Sequence, residues 1–182
     1  MDEKRIVKIS KYLSKHLRHA PQAIGLQLQP GGWVAVDELL RACARHNFLI
    51  TRAQLEEVVA KNNKQRFAFD ETSTRIRANQ GHSVAVDLQL AAATPPAVLY
   101  HGTAQHNVEI ILRDGLQKMR RHHVHLSSDT QTAHRVGARH GRPVVLQVDA
   151  QAMHNDGFSF WCSENGVWLV NSVPPQYLRV MQ

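Results

Sequence analysis

A chain of 182 residues that is 43% hydrophobic and 20% charged can bury one core or two small ones, which excludes general disorder. Its formal net charge of +7, with twelve histidines in addition, favours a polyanionic partner such as nucleic acid. Two distant cysteines (Cys43 and Cys162), a polar MDEKR start and no apolar run near the ~20 residues of a membrane span exclude a disulfide framework and a spanning helix, so the cytoplasm is the expected location.

Ile6, Ile9, Leu13 and Leu17 step at three and four residues, which predicts an amphipathic helix over residues 4–19. Pro21 disfavours helical geometry at Ala20 and helps to end it. Arg18 and His19 then fall in the last turn, where basic side chains complement the helix dipole. Gly31-Gly32 is a turn and WVAV a short strand. Asp37 is a candidate N-cap for a helix burying Leu39, Leu40 and Cys43. Thr51 with Gln54 three residues later makes a capping box, opening a helix that buries Leu55, Val58 and Val59.

RFAF, the turn-prone DETS and TRIRA read as a hairpin. Phe67 is expected to face Ile76 on one side, and Arg66 to face Arg77 on the other with Arg75 beside them. Like charges set opposite each other are unfavourable, and an anion between them relieves the repulsion. Three helices and a basic hairpin outline a winged helix. NQGHS is a loop, and residues 82–97 read as a linker running to Pro95-Pro96, with a domain boundary near residue 90.

VLYHGT is expected to be a short strand ending in a glycine turn. A helix over residues 105–113 buries Val108, Ile111 and Leu112, with Gly115 as its stop. In MRRHHVHLSS, residues 119–128, two arginines lead into three histidines and then into alternation. In a strand, His123, His125 and Ser127 share one face, and Val124 and Leu126 share the other, buried one. A cationic turn feeding a row of polar groups on a rigid strand builds a pocket for an anion. The alternative is a basic surface loop entering an edge strand. A zinc site at His122, His123 and His125 lacks the neighbouring Cys or carboxylate ligands of common spacings.

Residues 129–140 read as a helix capped by Asp129 and stopped by Gly141. PVVLQVDA reads as a buried strand, and SFWCSENGVWLVNSVP as two short strands turning at Glu164-Asn165-Gly166. The second half is thus a small α/β unit rich in strands. It has neither G-x-G-x-x-G after a strand nor G-x-x-x-x-G-K, so no Rossmann or P-loop nucleotide site is indicated.

Four pieces of the chain match one family in order: LRHAPQAIGL (17–26), KQRF with ANQGHS (64–67 and 78–83), YHGT (100–103) and R-x-HVHLS (121–127). With VGARHG and NGVWL they resemble the tRNA 2′-phosphotransferases, the KptA family, over nearly the whole chain. The resemblance implies an α+β fold in two lobes: a winged-helix RNA-binding lobe, residues 1–90, and an ADP-ribosyltransferase-like α/β lobe, residues 91–182, that binds NAD. It also implies a metal-free reaction that consumes NAD and removes an internal 2′-phosphate from RNA of the tRNA splice-junction type. The RNA phosphate attacks the anomeric carbon of the nicotinamide ribose, giving a 2′-phospho-ADP-ribosylated RNA. The 2″-hydroxyl then attacks phosphorus, leaving 2′-OH RNA, nicotinamide and ADP-ribose 1″,2″-cyclic phosphate.

By the same resemblance the catalytic set is Arg18, His19, Arg66 and Arg121. His101, Gly102, Thr103, His123, His125, Ser127, Arg139 and Val167 are expected to contact NAD, and Lys64, Arg77, Gln80 and His82 to contact RNA. No metal and no membrane is expected, and the chain is expected to act as a monomer. Guanidinium forks suit a phosphate that is first nucleophile and then electrophile, and His19 suits proton transfer.

Two departures matter. Most ADP-ribosyltransferases place a Glu where Val167 stands, with Glu164 nearby and off register, which argues against the alternative of ADP-ribosylation of protein or nucleic-acid ends. Arg120 stands where relatives often carry a small polar residue, so two adjacent arginines compete, and the spacing to HVH favours Arg121. A non-catalytic winged-helix regulator is the remaining alternative. It has no need of the Arg18, His19 and Arg66 group together with the histidines of the second half.

Overall fold

A computed structural model describes residues 1–61 and 64–181. The chain is mixed α and β, its sheets small and antiparallel, and it clusters into two compact units, Met1–Gln89 and Leu90–Gln182.

In the first unit, helix α1 (Glu3–Arg18) starts where Asp2 accepts the Arg5 N–H at 2.6 Å, and buries Ile9, Leu13, His16 and Leu17. It stops before Pro21, which opens a short 3-10 turn, Pro21–Ile24. Strand β1 (Val34–Ala35) leads directly into α2 (Val36–Arg45). Ala35 occupies the N-cap position, so Asp37 is not the cap; it lies in the first turn, where a carboxylate meets the positive end of the dipole. Thr51 and Gln54 form the full capping box of α3 (Arg52–Ala60). β2 (Phe67–Phe69) and β3 (Arg75–Ala78) form the hairpin, and the sheet order is β1-β3-β2. Leu13, Leu17, Leu39, Leu55, Phe67 and Ile76 belong to one core.

The hairpin register differs from expectation. Phe67 pairs with Ala78, Ala68 with Arg77 and Phe69 with Ile76, so Arg66 and Arg77 are not opposed. The cause is Asp70, whose Oδ1 accepts the N–H groups of Thr74 and Arg75 at 2.9 and 3.0 Å. That grip closes a four-residue loop between Asp70 and Arg75, in place of the two-residue loop the expected pairing requires. The segment after β3 is also less open than a linker. Ser83 and Val84 donate to the Arg18 carbonyl, Gly31 donates to Asp87, and Asn79 and His82 are buried.

In the second unit, β4 (Val98–Ala104) pairs along its length with β7 (Pro143–Asp149), and β11 (Leu178–Val180) flanks β7. A second sheet has the order β6 (Val124–Leu126), β9 (Trp168–Val170), β8 (Phe160–Cys162), and β5 (Leu116–Gln117) pairs with β10 (Ser172–Val173). The helices are α4 (Val108–Asp114), α5 (Thr130–Gly137) and α6 (Ala150–Asn155). Leu99, Leu126, Leu146, Met153 and Phe160 belong to its core.

Several elements of this unit differ from expectation. β4 runs straight through Gly102, which is not a turn. A Cβ there would sit 1.6 Å from the Ala133 carbonyl oxygen, and one on Gly137 would sit 2.7 Å from that of Thr103. The two glycines therefore let α5 lie directly on β4. α5 ends at Gly137, before Arg139, so Gly141 is not its stop. Leu112 is exposed rather than buried, while Val108 and Ile111 do pack on the core. β7 is fully buried only at Leu146 and Val148, the alternation of a sheet with one covered face.

Candidate functional site

In the second unit a backbone bridge joins the sheet of β4 to the sheet of β6. Tyr100 and Ser127 exchange both backbone hydrogen bonds, 2.9 and 2.8 Å, so β4 and the end of β6 meet edge to edge. This brings His101 against His125: the His101 Nδ1–H donates to the His125 carbonyl at 3.0 Å. A carbonyl can only accept, so Nδ1 carries the proton and Nε2 of the neutral ring is left as an acceptor. Burial is the largest cause holding the His101 pKa below 6.5, and the Arg121 charge lowers it further. The Arg121 Nη1 donates to the His125 Nδ1 at 3.2 Å. A guanidinium can only donate, so this bond places the His125 proton on Nε2. Val124 and Leu126 are buried beneath this row, which fixes the strand that carries it.

Of the other residues expected here, His123 lies 5.1 Å from the Trp161 ring at a tilt of 55°. Its pKa is lowered, first by burial and then by the His122 and Lys118 charges. Thr103 is buried and accepts a long 3.5 Å bond from the Asn107 amide. Val167 sits in the β8–β9 turn, its carbonyl accepting from Ser163 and its N–H donating to the Ser163 hydroxyl. Arg139 is exposed in the turn after α5. A groove of about 730 Å³, lined by Thr130, His134, Arg135, Val145, Val180 and Met181 among others, contains none of the expected site residues.

In the first unit, the C-terminal end of α1 meets the base of the hairpin. The Arg18 Nη2 donates to the Arg66 carbonyl at 3.3 Å, and its guanidinium carbon lies 5.9 Å from the centre of the Phe67 ring. His19, the C-cap residue, shares a 2.9 Å hydrogen bond between its Nδ1 and the Ser83 hydroxyl. The Ser83 N–H donates to the Arg18 carbonyl at 2.9 Å, so one residue binds the backbone and the ring of the Arg18–His19 pair. His82 is 2% exposed and packs beside Gly32. Arg77 stacks on Trp33 at 4.5 Å and makes a long 3.5 Å bond to the Gly31 carbonyl. Lys64 is exposed, and Arg66 and Gln80 are half-buried.

Sequence reasoning missed Ser83, Tyr100, Trp33 and Trp161. Ser83 lies within ANQGHS, yet only the fold shows it reaching His19. Among the described residues no group of three His, Cys, Asp or Glu could hold a metal ion, and no helix is long and apolar enough to cross a membrane.

Comparison with known proteins adds a family. Residues 4–172 match the family described as RNA 2′-phosphotransferase, Tpt1/KptA family. The chain is 64% identical over 181 residues to a "Probable RNA 2'-phosphotransferase" of Trichormus variabilis, covering all of both chains. Proteins of the same name match from Nostoc punctiforme, at 63% over 98% of this chain and 99% of the relative, and from Herpetosiphon aurantiacus, at 60% over 99% of each.

Proposed function

Because the chain belongs to the RNA 2′-phosphotransferase, Tpt1/KptA family and is a transferase, we propose that it moves an internal 2′-phosphate of RNA to ADP-ribose in an NAD-dependent reaction. The observation that carries the NAD part is the Arg121–His125–His101 chain assembled at the Tyr100–Ser127 bridge. The Arg121 guanidinium, the His125 Nε2–H and the Ser127 hydroxyl form a donor set suited to a polyanionic dinucleotide, and the His101 Nε2 adds an acceptor that a ribose hydroxyl can meet. When bound, NAD supplies an electrophilic anomeric carbon and nicotinamide as leaving group. His101, Gly102, Thr103, His123, His125, Ser127, Arg139 and Val167 would contact it. The order of helices, short strand and hairpin supports a winged-helix reading of the first unit, and the second is read as ADP-ribosyltransferase-like.

Arg18, Arg66 and Arg121 are assigned to the phosphate oxygens, with His19 as donor or proton carrier. Ser83 orients its ring. Lys64, Arg77, Gln80 and His82 are assigned to the RNA, His82 acting from a buried position through the loop it packs. Val167, where a Glu would serve protein ADP-ribosylation, favours the phosphotransferase reading.

The test is incubation of the chain with RNA bearing one internal 2′-phosphate, with and without NAD, the products separated by chromatography. Loss of the 2′-phosphate with release of nicotinamide, only when NAD is present, is expected. Phosphate loss independent of NAD, or none at all, contradicts the proposal.

A further inference from the structure

The outer face of the three-stranded sheet in the first unit carries chemistry that the assignments above use only at Arg77. Val34, Ile76, Phe69, Phe67 and Ala78 pair with one another on the core side. By alternation Trp33, Ala35, Ala68, Arg75 and Arg77 stand on the other side. Ala35 is opposite Arg75 and Ala68 opposite Arg77, so each arginine faces a methyl group across the ladder. With nothing bulky in the way, both guanidiniums reach the Trp33 ring, Arg75 at 5.5 Å and Arg77 at 4.5 Å. Asp70 is a carboxylate beside this face, and its bonding capacity is taken up. It accepts from the Thr74 and Arg75 backbones, the Thr72 hydroxyl and the Arg75 Nε.

The result is a pair of guanidiniums around a half-buried indole, the Arg75 one ion-paired through its Nε with Asp70 at 2.9 Å while its side chain stays 48% exposed. Such a group suits unpaired nucleotides, because bases stack on indole and guanidinium planes while the same charges meet the phosphates. An acidic peptide would answer the charge but leave the planar surfaces unused. We propose that this face is an additional RNA-contact surface, holding unpaired nucleotides that flank the 2′-phosphorylated one, with Trp33 supplying stacking and Arg75 supplying charge. The inference takes its ligand from the function proposed above and adds to it a surface for the flanking strand.

The test uses the full chain without NAD. Its affinity for a labelled, unstructured RNA of about a dozen nucleotides, within the span of single-strand binding folds, is measured by anisotropy over a salt series. Trp33→Leu and Arg75→Gln are each expected to weaken Kd roughly tenfold, and Arg75→Gln to flatten the log–log salt slope by about 0.7, the loss of one phosphate contact to a single strand. Independently of any variant's folding, 4-thiouridine RNA photocrosslinked to the unaltered chain should label peptides containing Trp33 or Arg75. Crosslinks confined to other peptides, or unchanged affinity in both variants, overturn the inference. Phosphate transfer without these effects refutes the surface and leaves the transferase reading standing. Crosslinking here without phosphate transfer does the reverse.

Discussion

At the scale of single residues, the cations proposed for the phosphate should divide by the chemical step of the proposed reaction. While the 2′-phosphate is a nucleophile it needs orientation, and strong positive charge dulls its attack. When its phosphorus becomes the electrophile, charge builds on its oxygens, and removing one preorganised donor then costs ~10²–10³ in rate. Arg18→Ala and His19→Ala are therefore expected to release nicotinamide while delaying the cyclic phosphate in single-turnover time courses. Arg121→Ala, which also removes the bond to the His125 Nδ1, should slow both together. A stall of the Arg18 and His19 variants before nicotinamide release contradicts this division. Arg66→Ala should weaken RNA phosphate handling by about 1.5–3 kcal/mol with NAD affinity nearly unchanged. Arg66→Lys should recover little, since an ammonium lacks the bidentate fork; full activity in the Lys variant would mean that charge alone matters.

At the scale of elements, the contact of α5 with β4 is the most demanding. Gly102→Ala places a methyl group where the Ala133 carbonyl stands, 1.6 Å away, and backbone cannot yield as a flexible side chain does. It should cost about 3 kcal/mol or more, read as a lowered denaturation midpoint. A midpoint within experimental error of the unaltered chain contradicts this contact. Nothing in YHGT announces that packing, which is why the glycine reads from sequence as a turn. Features held by local chemistry were legible: the Thr51–Gln54 box, the Asp129 cap, and the burial of Val124 and Leu126 beneath the histidine row. The hairpin strands were legible, but their register was not. Asp70 lengthens the loop by two residues, a shift that keeps the same side chains on each face while moving Arg77 from opposite Arg66 to opposite Ala68. α6 was missed, although Asp149 caps it by accepting the Ala152 N–H.

At the scale of the whole molecule, three histidines tie stability to pH. Burial is the first cause lowering the pKa of His16 in the first unit and of His101 and His123 in the second, each from 6.5. The folded chain thus binds fewer protons than the unfolded chain at these sites. Stability should be fully present above pH 6.5 and decline as pH falls through that value toward the lower folded pKa values. Denaturant midpoints measured from pH 7.5 down to about 5 check this, and a flat profile contradicts it. The Asp70 carboxylate, held down to about 2, acts only at far lower pH. The chain divides into two compact units at residue 89, and the bridge that brings His101 to His125 spans separate strands whose meeting nothing in the sequence announced. In the proposed function the 2′-phosphate leaves RNA by transfer to ADP-ribose rather than by hydrolysis. This transfer is tested most directly by placing a radiolabel on that phosphate alone and following it through one turnover with NAD. Transfer places the label in ADP-ribose 1″,2″-cyclic phosphate; label appearing as inorganic phosphate, or remaining on the RNA, would contradict it.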